Sequence, residues 1–204
     1  MYLDDIVIYA KTLALLHEYT DQVFQILQDY NLFLRASKCE FEKREIVYLG
    51  LIIRPGEVLM DPGKVDAIHR WKTPENLKEV QAVLGFCNFY RRFCEDMAEI
   101  AQPLTELTKK NKPFVWTKVR NEVFEKLKDR SSREPILKIY KFGLPTCIII
   151  DASNIATGGV LEQKHPDNFW HPVAYRSSLM SKEERNYLIY DREMLGLICT
   201  LEDW

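Results

Sequence analysis

The chain has 204 residues, 47% of them hydrophobic, 28% charged and 12% aromatic, with a formal net charge of -2 at pH 7. This balance excludes an intrinsically disordered chain, which needs few aromatics and a large net charge. Apolar runs such as Cys147–Ile150 are strand-sized, far short of the roughly 20 residues of a membrane span, and Asp4 and Asp5 interrupt any signal peptide. Five cysteines without a CxxC pair read as reduced, buried thiols in an intracellular compartment, with neither disulfides nor zinc.

In chain order, Val7-Ile8-Tyr9 predicts a strand and residues 14–31 a helix, on the spacing of Leu16, Val23, Ile26, Leu27 and Tyr30. Short strands are expected at 32–34 and 39–41. A hairpin is expected from 46–54 and 58–60, joined through Pro55-Gly56. Asp61-Pro62 and Thr73-Pro74 each pair an N-cap with a proline, opening a short helix to Trp71 and a long one to Phe93. Further helices follow over 95–108 and from a Thr117 cap to Asp129. Strands then take over at 136–140, 147–151, 158–163 and 170–175. Ser181 and Glu184 have capping-box spacing and open a helix that still runs at Trp204. Both ends of the chain read as cut through secondary structure.

The small net charge hides a pattern. Residues 1–63 carry 6 basic and 10 acidic side chains, residues 64–141 carry 17 and 11, and residues 142–204 carry 5 and 9. A basic centre between acidic flanks points to a middle that meets a polyanion.

Two places concentrate carboxylates. The adjacent Asp4 and Asp5 repel each other before a β-branched strand, so they read either as an acidic turn or as ligands of a cation. Asp151 ends the apolar Ile148–Ile150 run and reads as an Asx turn with Ser153 or as a carboxylate at a sheet edge. Glu193 lies in the last helix, where Asp191, Arg192 and Glu202 look equally exposed. On the long helix, Leu77, Val80, Leu84 and Cys87 form a core stripe, and Gln81, Gly85 and Phe89 line another face. Gly85 there permits either tight helix packing or close approach of another backbone. Arg91, Arg92, Lys109, Lys110 and Lys112 are candidate phosphate contacts. The four histidines lack metal spacing, and Trp71, Trp116 and Trp170 are expected as core anchors.

An ordered set of strings carries a resemblance. YLDDIVIYAK (2–11) resembles the YxDD motif of reverse transcriptases, and SKCEF (37–41) resembles the segment after the palm helix in gypsy-type LTR retrotransposons. VYLGLII (47–53) looks like the primer-grip hairpin and LKEVQAVLGFCNFYRRF (77–93) like the thumb helix. PLTELTKK (103–110) and FVWT (114–117) precede a ribonuclease H-like start, IDASNIATGGVLEQ (150–163), and EERNYLIYDREML (183–195).

The resemblance implies an α+β fold: the C-terminal part of the palm with a primer-grip-like hairpin at 1–63, thumb-like helices at 64–112, connection at 113–143, and the N-terminal part of a ribonuclease H-like α/β domain at 144–204. It implies an RNA-directed DNA polymerase with ribonuclease H activity, cut from a polyprotein. Asp4, Asp5, Asp151 and Glu193 match the family's catalytic, metal-binding carboxylates, with Mg2+ (or Mn2+) as the ion. Leu49 and Gly50 align with the primer grip and Gln81, Gly85 and Phe89 match the family's minor-groove track, while Arg91 and Arg92 join them as nucleic-acid-binding candidates on their charge. The implied partners are an RNA–DNA hybrid or template–primer duplex, deoxynucleotides and the rest of the polyprotein, in a cytoplasmic particle or the nucleus, with no membrane. Each active site has further carboxylates in the family that this chain does not carry, so the isolated chain is expected to be inactive. A decayed or co-opted nucleic-acid binder is the alternative. Two departures stand out: Ile150 replaces the usual threonine before Asp151, and Gly196 replaces an alanine.

Overall fold

The computed structural model describes residues 5–132 and 136–204. The chain divides into two compact units, one ending at Pro55 and one running from Gly56 to Trp204. Asp4 and the strand-like start at Tyr2 lie outside the described residues.

In the first unit, helix α1 (Leu13–Asp29) is capped by Thr12, whose hydroxyl accepts from the Leu15 N–H, and none of its residues is buried. Strands β1 (Ile46–Tyr48) and β2 (Leu51–Arg54) pair antiparallel, with Tyr48 opposite Leu51. The segment expected as one strand of a longer hairpin therefore folds back on itself. Leu49 (φ 52°) and Gly50 (φ 76°) make the two-residue turn, whose two positive φ values match the right-handed strand twist. The expected strands at 7–9, 32–34 and 39–41 do not form, because no described segment pairs with them. Tyr9 and Phe33 stand in solvent instead.

The second unit starts with β3 (Glu57–Met60), which pairs antiparallel with β4 (Leu137–Lys138), and with α2 (Pro62–His69), where Asp61 Oδ1 accepts from the Gly63 N–H. The long helix α3 (Leu77–Phe89) begins three residues after Thr73-Pro74. Asn76 caps it, because its side chain accepts from the Glu79 N–H while Glu79 reaches back to the Glu75 N–H. Its buried side chains are Val80, Val83 and Cys87; Leu84 is half-buried and Leu77 exposed, so the apolar stripe is rotated from the expected one. Helix α4 (Met97–Thr105) contains Pro103, which removes the donor to the Glu99 carbonyl, and the chain tightens into a 3-10 turn at Glu106–Thr108. Helix α5 (Lys118–Ser132) starts where Thr117 Oγ1 accepts from the Arg120 N–H. Phe93, Leu104, Leu107, Phe124, Leu127 and Leu137 are almost fully buried in this unit. Each such side chain contributes about 1.5–3 kcal/mol. Burial pushes the Cys87 thiol up to about 12 and that of Cys94 to about 11.

Strands β5 (Thr146–Ala152), β6 (Ala156–Lys164) and β7 (Trp170–Leu179) form an antiparallel sheet with β6 in the middle. The register alternates its faces. Gly158, opposite Asp151 and Ser177, faces α4, whose Ala98 N–H donates to Ser177 Oγ. Thr157 and Gly159 face α6 (Ile189–Asp203). The Ser181–Glu184 capping box forms as expected, with reciprocal bonds of 3.2 and 2.6 Å. It opens a single 3-10 turn at Glu184–Asn186, and α6 restarts after Leu188. Trp71 and Trp116 pack edge-on against Phe86 and Phe124, whereas Trp170 is exposed on the first residue of β7 and anchors no core. Cys39, Cys147 and Cys199 are half-buried rather than buried, and all five thiols are free.

Helix α6 seats on two glycines with different room. A Cβ on Gly159 would lie 3.0 Å from Thr200 Oγ1 and 3.1 Å from its methyl, whereas one on Gly196 would meet Thr157 at 3.6 Å, ordinary contact. Gly196→Ala should therefore raise stability by up to about 1 kcal/mol through helix propensity and unfolded-state entropy. Gly159→Ala should lower it by about 1–3 kcal/mol through overpacking. Urea unfolding of both variants checks the pair.

Candidate functional site

In the first unit, Asp5 is exposed and its carbonyl accepts a long bond, 3.4 Å, from the Tyr48 hydroxyl on β1. Tyr48 directly precedes the Leu49–Gly50 turn, whose half-buried Leu49 is held in the left-handed region that most side chains avoid.

On α3, Gln81, Gly85 and Phe89 share one exposed face, opposite the buried Val83 and Cys87. A Cβ on Gly85 would meet nothing within 4 Å. Packing inside the chain therefore does not require this glycine, although a mid-helix glycine costs about 1 kcal/mol relative to alanine. Arg91 and Arg92 follow on a 3-10 turn, both exposed, and neither has an ion-pair partner among the described residues. Lys109 is already held by Glu106 at 2.6 Å, while Lys110 and Lys112 are exposed.

The second carboxylate site sits where β5 turns into β6. Ser153 builds this turn: its hydroxyl accepts from the Ile155 and Ala156 N–H groups, and its N–H donates to the Ala156 carbonyl. Asp151 makes no Asx turn with Ser153. Its exposed carboxylate accepts from the Ala152 N–H at 2.9 Å. Paired with Gly158, Asp151 reaches to the α4 side of the sheet. Glu193 is exposed on α6, on the other side, one turn before Gly196 passes the Asp151 carbonyl. Its neighbour Arg192 donates to the Ser153 carbonyl (3.2 Å) and Asn154 Oδ1 (2.7 Å), clamping the helix to the turn. Asp151 and Glu193 thus share one end of the sheet from opposite faces.

All these donors are carboxylate oxygens, which suit hard cations such as Mg2+ or Mn2+. Among the described residues, however, no three His, Cys, Asp or Glu side chains converge to hold a metal ion. Asp151 and Glu193 alone do not fit a two-ion centre.

The structure adds residues that no local pattern marked. A cleft beside Asp151 is lined by Asp96 and Glu99 at the start of α4, by Lys126 and Arg130 on α5, and by Ser153. Asp96 sits in the left-handed region (φ 54°) and its side chain makes no cap bond. Burial first, then the Glu99 carboxylate and more weakly that of Asp151, push its carboxyl above the ordinary value, against the pull of Arg130 and Lys126. Its positive φ and its burial beside Glu99 and Arg130 are set by the fold, and sequence displays neither.

Residues 1–53 match the family described as reverse transcriptase (RNA-dependent DNA polymerase), and residues 116–204 match the RNase H-like domain found in reverse transcriptase. Over 203 residues the chain is 34% identical to the Transposon Tf2-3 polyprotein of Schizosaccharomyces pombe, covering 100% of this chain and 15% of the polyprotein. The Tf2-7 polyprotein of the same yeast is 33% identical over the same span. The chain therefore spans a small part of these relatives' length. Among solved structures, the foamy viral protease-reverse transcriptase dRH in complex with double-stranded DNA superposes with a TM-score of 0.78 at 22% identity, covering 96% of this chain and 34% of that one. The foamy viral protease-reverse transcriptase in complex with RNA/DNA hybrid gives 0.77 at 22% identity, covering 96% and 26%. At this identity the likeness is one of fold.

The raised Asp96 carboxyl has a direct consequence for stability. The folded chain holds this proton more tightly than the unfolded chain, whose value lies near 3.8. Stability from this group is full below that value and is lost as pH rises through the folded value. Asp96→Asn, which also tolerates the left-handed backbone, should melt higher than the parent at pH 7. The gap should close near pH 3, and thermal melts at the two pH values test this.

Proposed function

Because the chain belongs to the reverse transcriptase–ribonuclease H family of retrotransposon polyproteins, we propose that it is the stretch of such an enzyme that holds the RNA–DNA hybrid or template–primer duplex. The observation that carries this reading is Gly85, a mid-helix glycine with open space above it, between the exposed Gln81 and Phe89. A backbone without side chain lets a duplex groove approach, the Gln81 amide can hydrogen-bond base edges, and the Phe89 ring can lie on a sugar. Arg91 and Arg92, without an ion-pair partner among the described residues, supply phosphate contacts, and the Leu49–Gly50 turn offers its backbone to the primer end. The foamy viral relatives were solved with double-stranded DNA and with RNA/DNA hybrid, which supports a duplex as ligand.

In the whole polyprotein, Asp4 and Asp5 would serve deoxynucleotide addition and Asp151 and Glu193 hydrolysis of the RNA strand, with a divalent cation, most simply Mg2+, supplying charge neutralisation when bound. The setting is intracellular, in a particle or the nucleus; among the described residues no helix is long and apolar enough to cross a membrane. By itself the chain is expected to bind rather than turn over, since among the described residues no three His, Cys, Asp or Glu side chains converge to hold a metal ion.

Hybrid binding by fluorescence anisotropy tests the groove track. Gly85→Glu should weaken it at least tenfold, and removing Arg91 and Arg92 should flatten the slope of log affinity against log salt by about two, one per phosphate contact. Affinity indifferent to both changes would refute the track.

Primer extension on a homopolymer template with Mg2+ should give no product from the purified chain. Robust extension abolished by Asp4→Asn would overturn that expectation.

A further inference from the structure

The end of the β5–β6–β7 sheet away from Asp151 brings two segments together, residues 138–142 and 164–171. The fully buried Gln163 side chain ties them. Its oxygen accepts from the Lys141 N–H at 2.8 Å, and its amide donates to the Lys141 carbonyl and the Thr146 hydroxyl, both at 3.0 Å. The loop from β6 to β7 is closed just as firmly, by His165 N–H to the Phe169 carbonyl at 3.0 Å and Phe169 N–H to Asp167 Oδ1 at 3.0 Å.

Four rings stand in solvent on this fixed frame: Phe142 is 95% exposed, Phe169 69%, Trp170 44% and Tyr140 42%. Tyr140 and Phe142 meet edge-on at 5.3 Å, yet all four rings keep large exposed faces on a tightly bonded scaffold. The two segments also carry three lysines and two histidines against one acid, Asp167, and His171 already holds that acid at 2.7 Å. Lys138 is held by Glu57 at 2.5 Å, but Lys141 and Lys164 have no ion-pair partner among the described residues. This patch is locally basic inside the otherwise acidic last third of the chain.

Exposed rings beside unpaired lysines complement a ligand with open π faces and regularly spaced anions. Single-stranded nucleic acid has both, whereas a duplex hides its base faces in the stack. A purely apolar protein surface would leave the lysines unanswered. We infer that this end of the sheet binds single-stranded nucleic acid, with bases stacked on Phe142 and Trp170 and phosphates held by Lys141 and Lys164. The site is separate from the duplex track on α3. It stands at the Thr146 end of β5, roughly 17 Å along the strand from Asp151 at about 3.3 Å per residue.

Anisotropy of a labelled twelve-residue oligothymidylate titrated with the full chain tests the inference. Phe142→Ala and Trp170→Ala should each weaken binding about tenfold, the loss of one stacked base. Lys141→Glu should weaken it further at low salt than at high salt. A blunt-ended RNA–DNA hybrid, titrated in parallel, should respond to Gly85→Glu and not to Trp170→Ala. Because Phe142 is almost wholly in solvent, its removal leaves the fold intact, which an unchanged melting temperature verifies; Lys141→Glu stands in if it does not. Absence of oligothymidylate binding, or binding within twofold of the parent in both aromatic variants, overturns the inference. If Phe142→Ala instead abolishes concentration-dependent self-association and spares oligothymidylate binding, the patch is a protein contact and the inference also fails.

Discussion

The second unit depends on how closely α6 can lie against the sheet. Gly159 leaves just enough space for the Thr200 side chain, and the helix passes the Asp151 carbonyl at Gly196, where a methyl would still fit. Guanidinium groups secure the two ends of this contact. Arg192 grips the β5–β6 turn, and Arg176 joins Thr157 to Asp203 at the far end of the helix. The close fit has a cost, since the Thr200 hydroxyl is buried without a hydrogen-bond partner, a defect of about 1–3 kcal/mol. A helix held further out would satisfy that hydroxyl with water, and would also carry Glu193 away from the strand end where Asp151 emerges.

The same sheet is shared by two different neighbours. Its Gly158 face receives α4 and with it the cleft of Asp96, Glu99, Lys126 and Arg130. Its Gly159 face receives α6. Asp151 therefore lies in an environment set by α4 and α5, helices that precede its own sheet in the chain. Four ionisable groups around one carboxylate make that cleft sensitive to any ion or phosphate that enters it.

Features governed by neighbours in sequence were readable from sequence. The Ser181–Glu184 box, the Asp61 and Thr117 caps and the amphipathic α1 need only residues within a turn or two. Features that need a distant partner were not. Val7-Ile8-Tyr9 has strand propensity but no neighbouring strand among the described residues, so it stays extended and unpaired. Thr73-Pro74 offers a cap, yet Asn76 wins because Glu79 can close the box with it. Trp170 was expected in the core for its size, but β7 begins there and leaves the ring beyond the sheet. Within the candidate sites, the exposed face of Gln81, Gly85 and Phe89 follows from helical spacing alone. The approach of Asp96 to Asp151 joins residues 55 positions apart and leaves no local trace.

Helix α1 spans 17 residues without burying one, and its contacts outside itself include the His17–Glu42 pair and the edge-on Phe24–Phe41 rings. A helix of that length draws little stability from propensity alone, so its backbone hydrogen bonds open by local fraying. The amides of α4 and α5, tied to Leu104, Phe124 and Leu127 in the core, open only when the second unit unfolds as a whole. The two parts of the chain therefore lose deuterium protection on separate timescales: a probe of solvent exchange sees the YxDD-bearing unit breathe many times for every opening of the helices that follow it.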